Sequence, residues 1–123
     1  MNSVLVCVTG QMSCERLIVA GAEIAKREDR PLAVMHVARA GSGMLGYQNE
    51  PEALEYLLKC SVTHGADMLV RKSDDVIGTI EAEARNRDVK VIVAGRAVNY
   101  GGWDLLDELK LRLPDVRFEI LSA

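Results

Sequence analysis

The strongest constraint on this chain is an apolar run near its start, Val4–Val8, which Thr9 and Gly10 follow. Successive apolar residues that are rich in β-branched valine predict a strand buried on both faces. A second run of the same kind, Val89–Gly95, lies near the other end of the chain. Strands buried on both faces occur mostly in parallel sheets covered by helices. We therefore expect the two runs to be neighbours in such a sheet, with a ligand cleft at their C-terminal ends.

The segments between these runs alternate between helical and extended patterns. Apolar residues recur at helical spacing after Ser13, which predicts a helix with Ser13 as its N-cap. The stripe buried by this first helix is expected to contain Leu17, Ile18, Gly21, Ile24 and Ala25. Extended apolar runs elsewhere in the chain complete a set of five predicted strands: Val4–Gly10, Leu32–Val37, Ala66–Arg71, Val89–Gly95 and Val116–Leu121.

Two further helices are predicted before the fourth strand. The second helix begins at Pro51 and ends near Gly65, since proline suits a first turn and glycine a helix end. Its expected buried stripe is Leu54, Leu57, Leu58, Ser61 and Val62. The third helix is expected to be capped by Ser73, which places Asp74 and Asp75 in the first turn, where acidic residues complement the helix dipole.

The fourth helix is predicted to begin at Trp103 and to end at Pro114, after a glycine-containing loop at Arg96–Gly102. The element order is therefore β-α-β-α-β-α-β-α-β. Strands joined by right-handed helical crossovers form a parallel sheet with helices on its faces. A chain of 123 residues suffices for one domain with its own core. We predict a single α/β domain over residues 1–123, with an open parallel five-stranded sheet and helices on both faces.

Composition and charge exclude several classes of function. Hydrophobic residues make up 49% of the chain and aromatic residues 4%, so the core is expected to be mainly aliphatic. The net charge is −3 without a basic cluster, which argues against nucleic-acid binding. No apolar run approaches the roughly 20 residues that span a bilayer, so membrane insertion is not expected. Cys7, Cys14 and Cys60 contain no C-x-x-C pair, and we expect a reducing cytoplasm as the location.

Two other kinds of α/β protein with a similar element order fit the residues less well. A response-regulator receiver needs an acidic pocket around a phosphorylated aspartate. Here the first strand ends in Thr9-Gly10, and the third leads into Lys72-Ser73. A dinucleotide-binding Rossmann domain favours G-x-G-x-x-G after the first strand, whereas this turn has the single glycine Gly10.

Four groups of segments follow one another in a fixed order and spacing along the chain. They are Val4–Gly10 with Ser13 and Arg16-Leu17-Ile18, then Met35-His36-Val37, then Val91–Arg96, and finally Trp103 with Leu106. In order and spacing these segments resemble those of a universal stress protein domain. The similarity is greatest to the version in the cytoplasmic part of Kdp-type potassium-sensing histidine kinases, and it spans nearly the whole chain.

This resemblance implies the adenine-nucleotide α-hydrolase-like fold, with strand order 3-2-1-4-5 and an adenine-nucleotide pocket between the first and fourth strands. In ATP-binding members an acid follows the first strand, and G-x-x-G-x9-G-S/T surrounds the phosphates. Thr9-Gly10 replace the acid here, and Val98 stands where the second glycine belongs. A β-branched side chain there obstructs close approach of a phosphate to the backbone. We therefore expect a pocket that does not bind ATP in the usual mode. Its expected lining is Thr9, Gly10, Ser13, Val37, Gly95 and Arg96.

The similarity to the kinase version leaves a second ligand open. Some kinase-associated members bind cyclic di-AMP through a serine in the first loop and an aromatic-bearing segment after the second strand. Ser13 and Met44–Tyr47 fall in those regions, and Tyr47 is the aromatic residue. The alternative to a regulatory binding domain is therefore a sensor module that binds cyclic di-AMP.

The last predicted strand alternates apolar Val116, Phe118 and Ile120 with Arg117 and Glu119, a pattern typical of a strand near a sheet edge. Universal stress proteins commonly dimerise through this strand. The resemblance thus implies a homodimer with Val116, Phe118 and Ile120 in the interface, and a monomer with a blunted edge is the competing expectation. The residues form no nucleophile–base pair and no metal-ligand cluster, so we expect neither enzymatic activity nor a bound metal.

Overall fold

The computed structural model describes residues 2–8, 14–38, 50–95, 99–100 and 103–121. Its strands are β1 (Ser3–Val8), β2 (Leu32–Ala38), β3 (Asp67–Lys72), β4 (Val89–Gly95), β5 (Asn99–Tyr100), β6 (Trp103–Asp104) and β7 (Arg117–Leu121). Its helices are α1 (Cys14–Glu28), α2 (Glu50–Thr63), α3 (Val76–Asn86) and α4 (Leu105–Arg112). The predicted strands correspond to β1, β2, β3, β4 and β7, and the predicted helices to α1–α4.

The main sheet has five strands in the order β3-β2-β1-β4-β7, and each neighbouring pair is parallel. The predicted fold class and the order 3-2-1-4-5 are therefore confirmed, with β7 as the fifth strand. The apolar run near the start of the chain forms β1 and the one near its other end forms β4. These two strands are direct neighbours in the centre of the sheet. All the carboxyl ends of the strands consequently meet at one edge of the sheet.

Alternating side chains of the central strands pack into separate cores on the two sheet faces. On one face, Val4 and Val6 of β1 pack with residues of α1 and α2. On the other face, Leu5 of β1 packs with residues of α3 and α4. Strand residues alternate between faces, so a strand that is apolar throughout is buried from both sides.

The buried stripe predicted for α1 is confirmed. Leu17, Ile18, Ile24 and Ala25 are each less than a tenth exposed. Gly21 faces β1, and a Cβ atom at this position would overlap the Val6 Cγ2 methyl. The glycine therefore sets how closely α1 lies on the sheet.

The buried stripe predicted for α2 is wrong at two positions. Leu57 and Ser61 are buried, but Leu58 is 50% exposed and Val62 is 66% exposed. The physical reason is that α2 lies over β3, a strand at the edge of the sheet, and beside α1. An edge position covers a narrower sector of the helix than a central one does. The side chain of Leu54 lies outside the described residues.

The end of α2 is confirmed, and the start of α3 is corrected. Gly65 has a φ of 71°, in the left-handed region that favours glycine after a helix. The N-cap of α3 is Asp75 rather than Ser73, because the Asp75 carboxylate accepts a hydrogen bond of 2.9 Å from the Gly78 backbone N–H. The Ser73 hydroxyl instead accepts a hydrogen bond of 3.0 Å from the Asp75 N–H. Asp75 thus lies at the cap and not within the first turn.

Trp103 lies in a strand, although a helix start was predicted there. Asn99–Tyr100 pairs antiparallel with Trp103–Asp104, and α4 begins only at Leu105. The sequence between the two strands is Gly101-Gly102, and glycine pairs are favoured in two-residue hairpins. Local strand pairing therefore delays the helix by two residues. The predicted cap Ser13 lies outside the described residues.

Candidate functional site

The strand order changes direction between β1 and β4, at the middle of the sheet. From β1 the chain proceeds through β2 to β3 on one side, and then crosses to β4 on the other side of β1. In open α/β sheets, ligands bind in the crevice outside the carboxyl ends of the strands at such a switch point. The candidate site is therefore the edge where β1 ends at Val8 and β4 ends at Gly95.

The strand pairings diverge at this point. The β1–β4 register runs from Ser3 opposite Val89 to Val6 opposite Val93. The β1–β2 register continues to Val8, and the β4–β7 register continues to Gly95. The last residues of β1 and β4 thus remain paired to their outer neighbours after their pairing to each other has ended. The β1–β4 pairing therefore ends before either strand does, at the switch point of the sheet.

Of the predicted pocket residues, the structure describes Val37 and Gly95. Gly95 is the last residue of β4, and a Cβ atom there would lie 3.8 Å from Leu17 Cδ1 at the start of α1. Val37 lies on β2 and packs against the core on the α3/α4 face. The two residues therefore lie on different strands and towards opposite sheet faces. Thr9, Gly10, Ser13 and Arg96 lie outside the described residues, and the predicted lining as a whole stays a prediction.

His36 ties the carboxyl end of β1 to β2. The residue is 4% exposed, and its ring Nδ1 lies 3.1 Å from the backbone carbonyl oxygen of Val8. A carbonyl oxygen only accepts hydrogen bonds, so Nδ1 carries the proton and donates it. The imidazole lies on the same sheet face as Val34, two residues earlier, and hence on the α1 side. The sequence placed this histidine in a strand, but its partner depends on the sheet register.

Cys7 lies next to the candidate site, but its thiol is not activated as a nucleophile. Cys7 keeps some exposure as a residue, while its sulfur is desolvated, and this burial raises the pKa of the thiol to about 12. The thiolate is the nucleophilic form, so this pKa makes Cys7 a poor nucleophile at neutral pH. Its neighbour Met35 belongs to the core on the same face. A packing role follows for Cys7.

The described part of the chain contains neither a candidate metal cluster nor a candidate membrane span. Its His, Cys, Asp and Glu residues form no group of three or more that could hold a metal ion. None of the helices built from the described residues is long and apolar enough to cross a membrane.

Sequence comparison alone identifies no relative. No protein-family model matches this chain, and no curated protein matches it either. Solved structures, in contrast, match it over nearly its full length.

A universal stress family protein from Burkholderia pseudomallei has a TM-score of 0.67 and 16% sequence identity, over 99% of this chain and 97% of that one. A universal stress protein in complex with cAMP has a TM-score of 0.64 and 16% identity, over 99% and 96% of the two chains. The universal stress protein from Archaeoglobus fulgidus in complex with dAMP has a TM-score of 0.62 and 18% identity, over 99% and 97%.

These matches concern the fold, since the sequence identities are low. The particular similarity to potassium-sensing histidine kinases stays a prediction from the sequence. The strand order, the parallel pairing and the two helical layers agree with the matched structures over the length of the chain. This chain has the fold of the universal stress proteins.

Proposed function

We propose that this chain is a universal stress protein-like regulatory domain that binds a small adenine nucleotide at the carboxyl ends of β1 and β4. The observation that carries the proposal is the divergence of these two strands after Val6 and Val93, at the switch point of the sheet. Two proteins of the same fold are in complex with cAMP and with dAMP. We propose that the domain acts by binding rather than by turnover, and that it does so in the cytoplasm.

The proposed ligand carries a single phosphate rather than a triphosphate. Val98 stands where ATP-binding universal stress proteins have the second glycine of their phosphate motif. A β-branched residue restricts how closely a phosphate approaches the backbone. Both nucleotides in the matched structures, cAMP and dAMP, are monophosphates. We therefore expect AMP or cAMP to bind more tightly than ATP.

Calorimetric titration of the full chain with AMP, cAMP and ATP tests this proposal, with thermal unfolding as a second readout. A ligand present at 100 times its dissociation constant stabilises the folded state by about 2.7 kcal/mol. Absence of binding by all three nucleotides would overturn the nucleotide proposal. Tighter binding of ATP than of AMP would overturn the argument from Val98.

Gly95→Val locates the ligand within the fold. A Cβ atom at Gly95 would lie 3.8 Å from its nearest neighbour, Leu17 Cδ1, which is an ordinary contact. The position therefore has room for a Cβ atom, and we expect the variant to fold with its added side chain at the entrance between β1 and β4, which circular dichroism checks. We expect loss of nucleotide affinity. Ala82→Val, at an exposed position of α3, is the matched control and should bind normally.

The alternative ligand, cyclic di-AMP, belongs in the same titration. It depends on Ser13 and Tyr47, which lie outside the described residues. Binding of cyclic di-AMP in preference to AMP would favour a sensor module of the kinase type over the proposed function. Ser13→Ala and Tyr47→Ala should then weaken that binding.

We also propose that the domain forms a homodimer through β7. This strand is at the edge of the sheet, and Val116, Phe118 and Ile120 are half-buried. Antiparallel pairing centred on Phe118 would place Arg117 opposite Glu119 of the second copy, and opposite charges across strands are favourable.

Glu119→Arg tests this pairing, since it would place two arginines opposite each other. The Glu119 side chain is 44% exposed, so the substitution is expected to leave the fold intact. Light scattering should report a lower mass for Glu119→Arg, and an unchanged mass for the control Asp107→Arg on α4. Phe118→Asp is a second, stronger variant. Equal masses for Glu119→Arg, Phe118→Asp, Asp107→Arg and the original chain would contradict the β7 dimer.

A further inference from the structure

We propose that the open edge of β3, together with the exposed flank of α2, binds a second copy of this chain. The pairing is antiparallel and centred on Leu69. We call this area the β3 edge surface and define it by Asp67–Lys72 with Leu58 and Val62. It lies at the opposite end of the sheet from β7, so pairing here would join β7 dimers to one another and extend the assembly beyond the dimer proposed above. It also does not rest on nucleotide binding.

The edge itself offers unpaired backbone groups. β3 pairs with β2 on one side, and in the described ranges no strand pairs with its other side. Met68, Leu69 and Val70 in its centre are only half-buried. An edge strand with an apolar centre is a template for pairing with a further strand.

The orientation of α2 places its exposed apolar residues above this edge. Leu57 and Ser61 face the sheet, and Tyr56 faces α1, because its hydroxyl donates a hydrogen bond of 2.7 Å to Glu15. Successive residues of a helix are rotated by about 100°. Leu58 and Val62 therefore lie on the flank that faces away from α1, next to the open side of β3.

Charges at the two ends of β3 select the partner. Asp67 and Arg71 lie on the same face of the strand, and their side chains are 76% and 44% exposed. Asp67 lies 3.6 Å from Arg87, the C-cap residue of α3, and Arg71 lies 3.3 Å from Glu83 on α3. Both side chains keep exposed surface beyond these ion pairs. Antiparallel pairing centred on Leu69 places Asp67 of each copy opposite Arg71 of the other. A parallel partner in register would place like charges together, which is unfavourable.

The symmetry of this pairing also brings the apolar flanks together. Two antiparallel edge strands of identical chains are related by a two-fold axis perpendicular to the sheet, which keeps the α2 layer on the same side in both copies. In an antiparallel pair, residues directly opposite each other point to the same face of the sheet, so their numbers differ by an even amount and the two-fold axis passes beside one residue. When that residue is Leu69, Asp67 of each copy lies opposite Arg71 of the other. The same axis places α2 beside its counterpart, where Leu58 and Val62 become buried. The charges and the apolar residues thus specify one and the same partner.

The first test compares Val62→Asp with Leu111→Asp. Both residues are exposed, at 66% and 78%, so both variants are expected to fold, but Leu111 lies on α4 and away from the β3 edge surface. Sedimentation of the full chain, without nucleotide and in a Glu119→Arg background, measures association apart from β7. We expect Val62→Asp to raise the dissociation constant at least about tenfold, which corresponds to about 1.4 kcal/mol, and Leu111→Asp to leave it unchanged. Equal dissociation constants for the two variants would overturn the proposal. So would a Glu119→Arg protein, carrying neither further substitution, that is monomeric at submillimolar concentration.

The second test uses charge reversal with rescue. Asp67→Arg alone places the new arginine opposite Arg71 of the other copy, and Arg71→Asp alone places the new aspartate opposite Asp67 of the other copy. Each variant should therefore associate only weakly with itself. An equimolar mixture of the two restores opposite charges across the pairing and should recover association, as should the double variant. Failure of both the mixture and the double variant to associate, with circular dichroism showing folded chains, overturns the proposed register. Nucleotide titration of the same proteins remains an independent test of the proposed function.

Discussion

Replacement of Gly21 by alanine tests how closely α1 packs on the sheet. A Cβ atom at Gly21 would overlap the Val6 Cγ2 methyl and would lie 3.3 Å from Leu32 Cδ1. Val6 is fully buried in the centre of β1, and a β-branched side chain has little freedom to rotate away. The helix therefore has to shift, or the core has to rearrange, to accommodate one methyl group.

Two opposing contributions determine the size of the effect. Overpacking of a core costs about 1 to 3 kcal/mol. Alanine in place of glycine in a helix interior contributes about 1 kcal/mol in the other direction. We therefore expect Gly21→Ala to lower the free energy of unfolding by up to about 2 kcal/mol. Val6→Ala removes the clashing methyl groups, so the double variant separates the steric contribution from helix propensity.

Urea unfolding followed by circular dichroism gives the four free energies of the double-mutant cycle. The coupling energy between Gly21→Ala and Val6→Ala should be at least about 1 kcal/mol, since Val6→Ala relieves the clash. Gly95→Ala is the matched control, because its Cβ would lie 3.8 Å from the nearest atom. Additivity of the two substitutions within about 0.5 kcal/mol, or a Gly21→Ala variant more stable than the original chain, would refute the close packing of α1 on β1.

Two further predictions concern the helix cap and an ion pair. Asp75→Ala should lower the free energy of unfolding by about 1 kcal/mol in urea titrations, because it removes the acceptor for the Gly78 N–H, and Ser73→Ala should cost less; the reverse order would contradict the cap assignment. Hydrogen bonds from Arg117 and Arg30 lower the pKa of the Glu28 carboxyl below its ordinary 4.5. The stabilisation of the folded state by the ionised Glu28 is therefore complete above pH 4.5, and it is lost as the pH falls through the lower pKa of the folded state. Urea midpoints should therefore show Glu28→Gln less stable than the original chain near neutral pH, with the difference shrinking in acid; a constant difference would contradict the ion pair.

Much of the fold follows from patterns that are local in the sequence. The valine-rich runs of β1 and β4 are apolar at every position, and only a central strand covered on both faces buries such a run. The apolar spacing of α1 predicts the side that packs on the sheet, since a central helix buries a wide sector. Gly65 marks the end of α2, because few residues other than glycine adopt its positive φ.

Other features depend on position in the sheet and could not be predicted locally. Leu58 and Val62 have the spacing of buried residues but are exposed, because α2 lies over the edge strand β3. Ser73 and Asp75 both suit a helix cap, and the choice between them depends on which backbone N–H each side chain reaches. For the candidate site, the sequence predicted the pocket between β1 and β4 but not the hydrogen bond from His36 to Val8, which requires the register of β1 on β2.

The sequence by itself determined the order of the five main-sheet strands and the four helices, and which runs are apolar enough to lie at the centre of the sheet, but not the short β5–β6 pair. These properties depend on neighbours within a few residues. Only the tertiary structure decided where β1 and β4 diverge, and which apolar residues of α2 remain exposed beside β3. Both depend on contacts between segments that are far apart in the chain, and the number of neighbours a residue gains in the fold is not encoded in its local pattern.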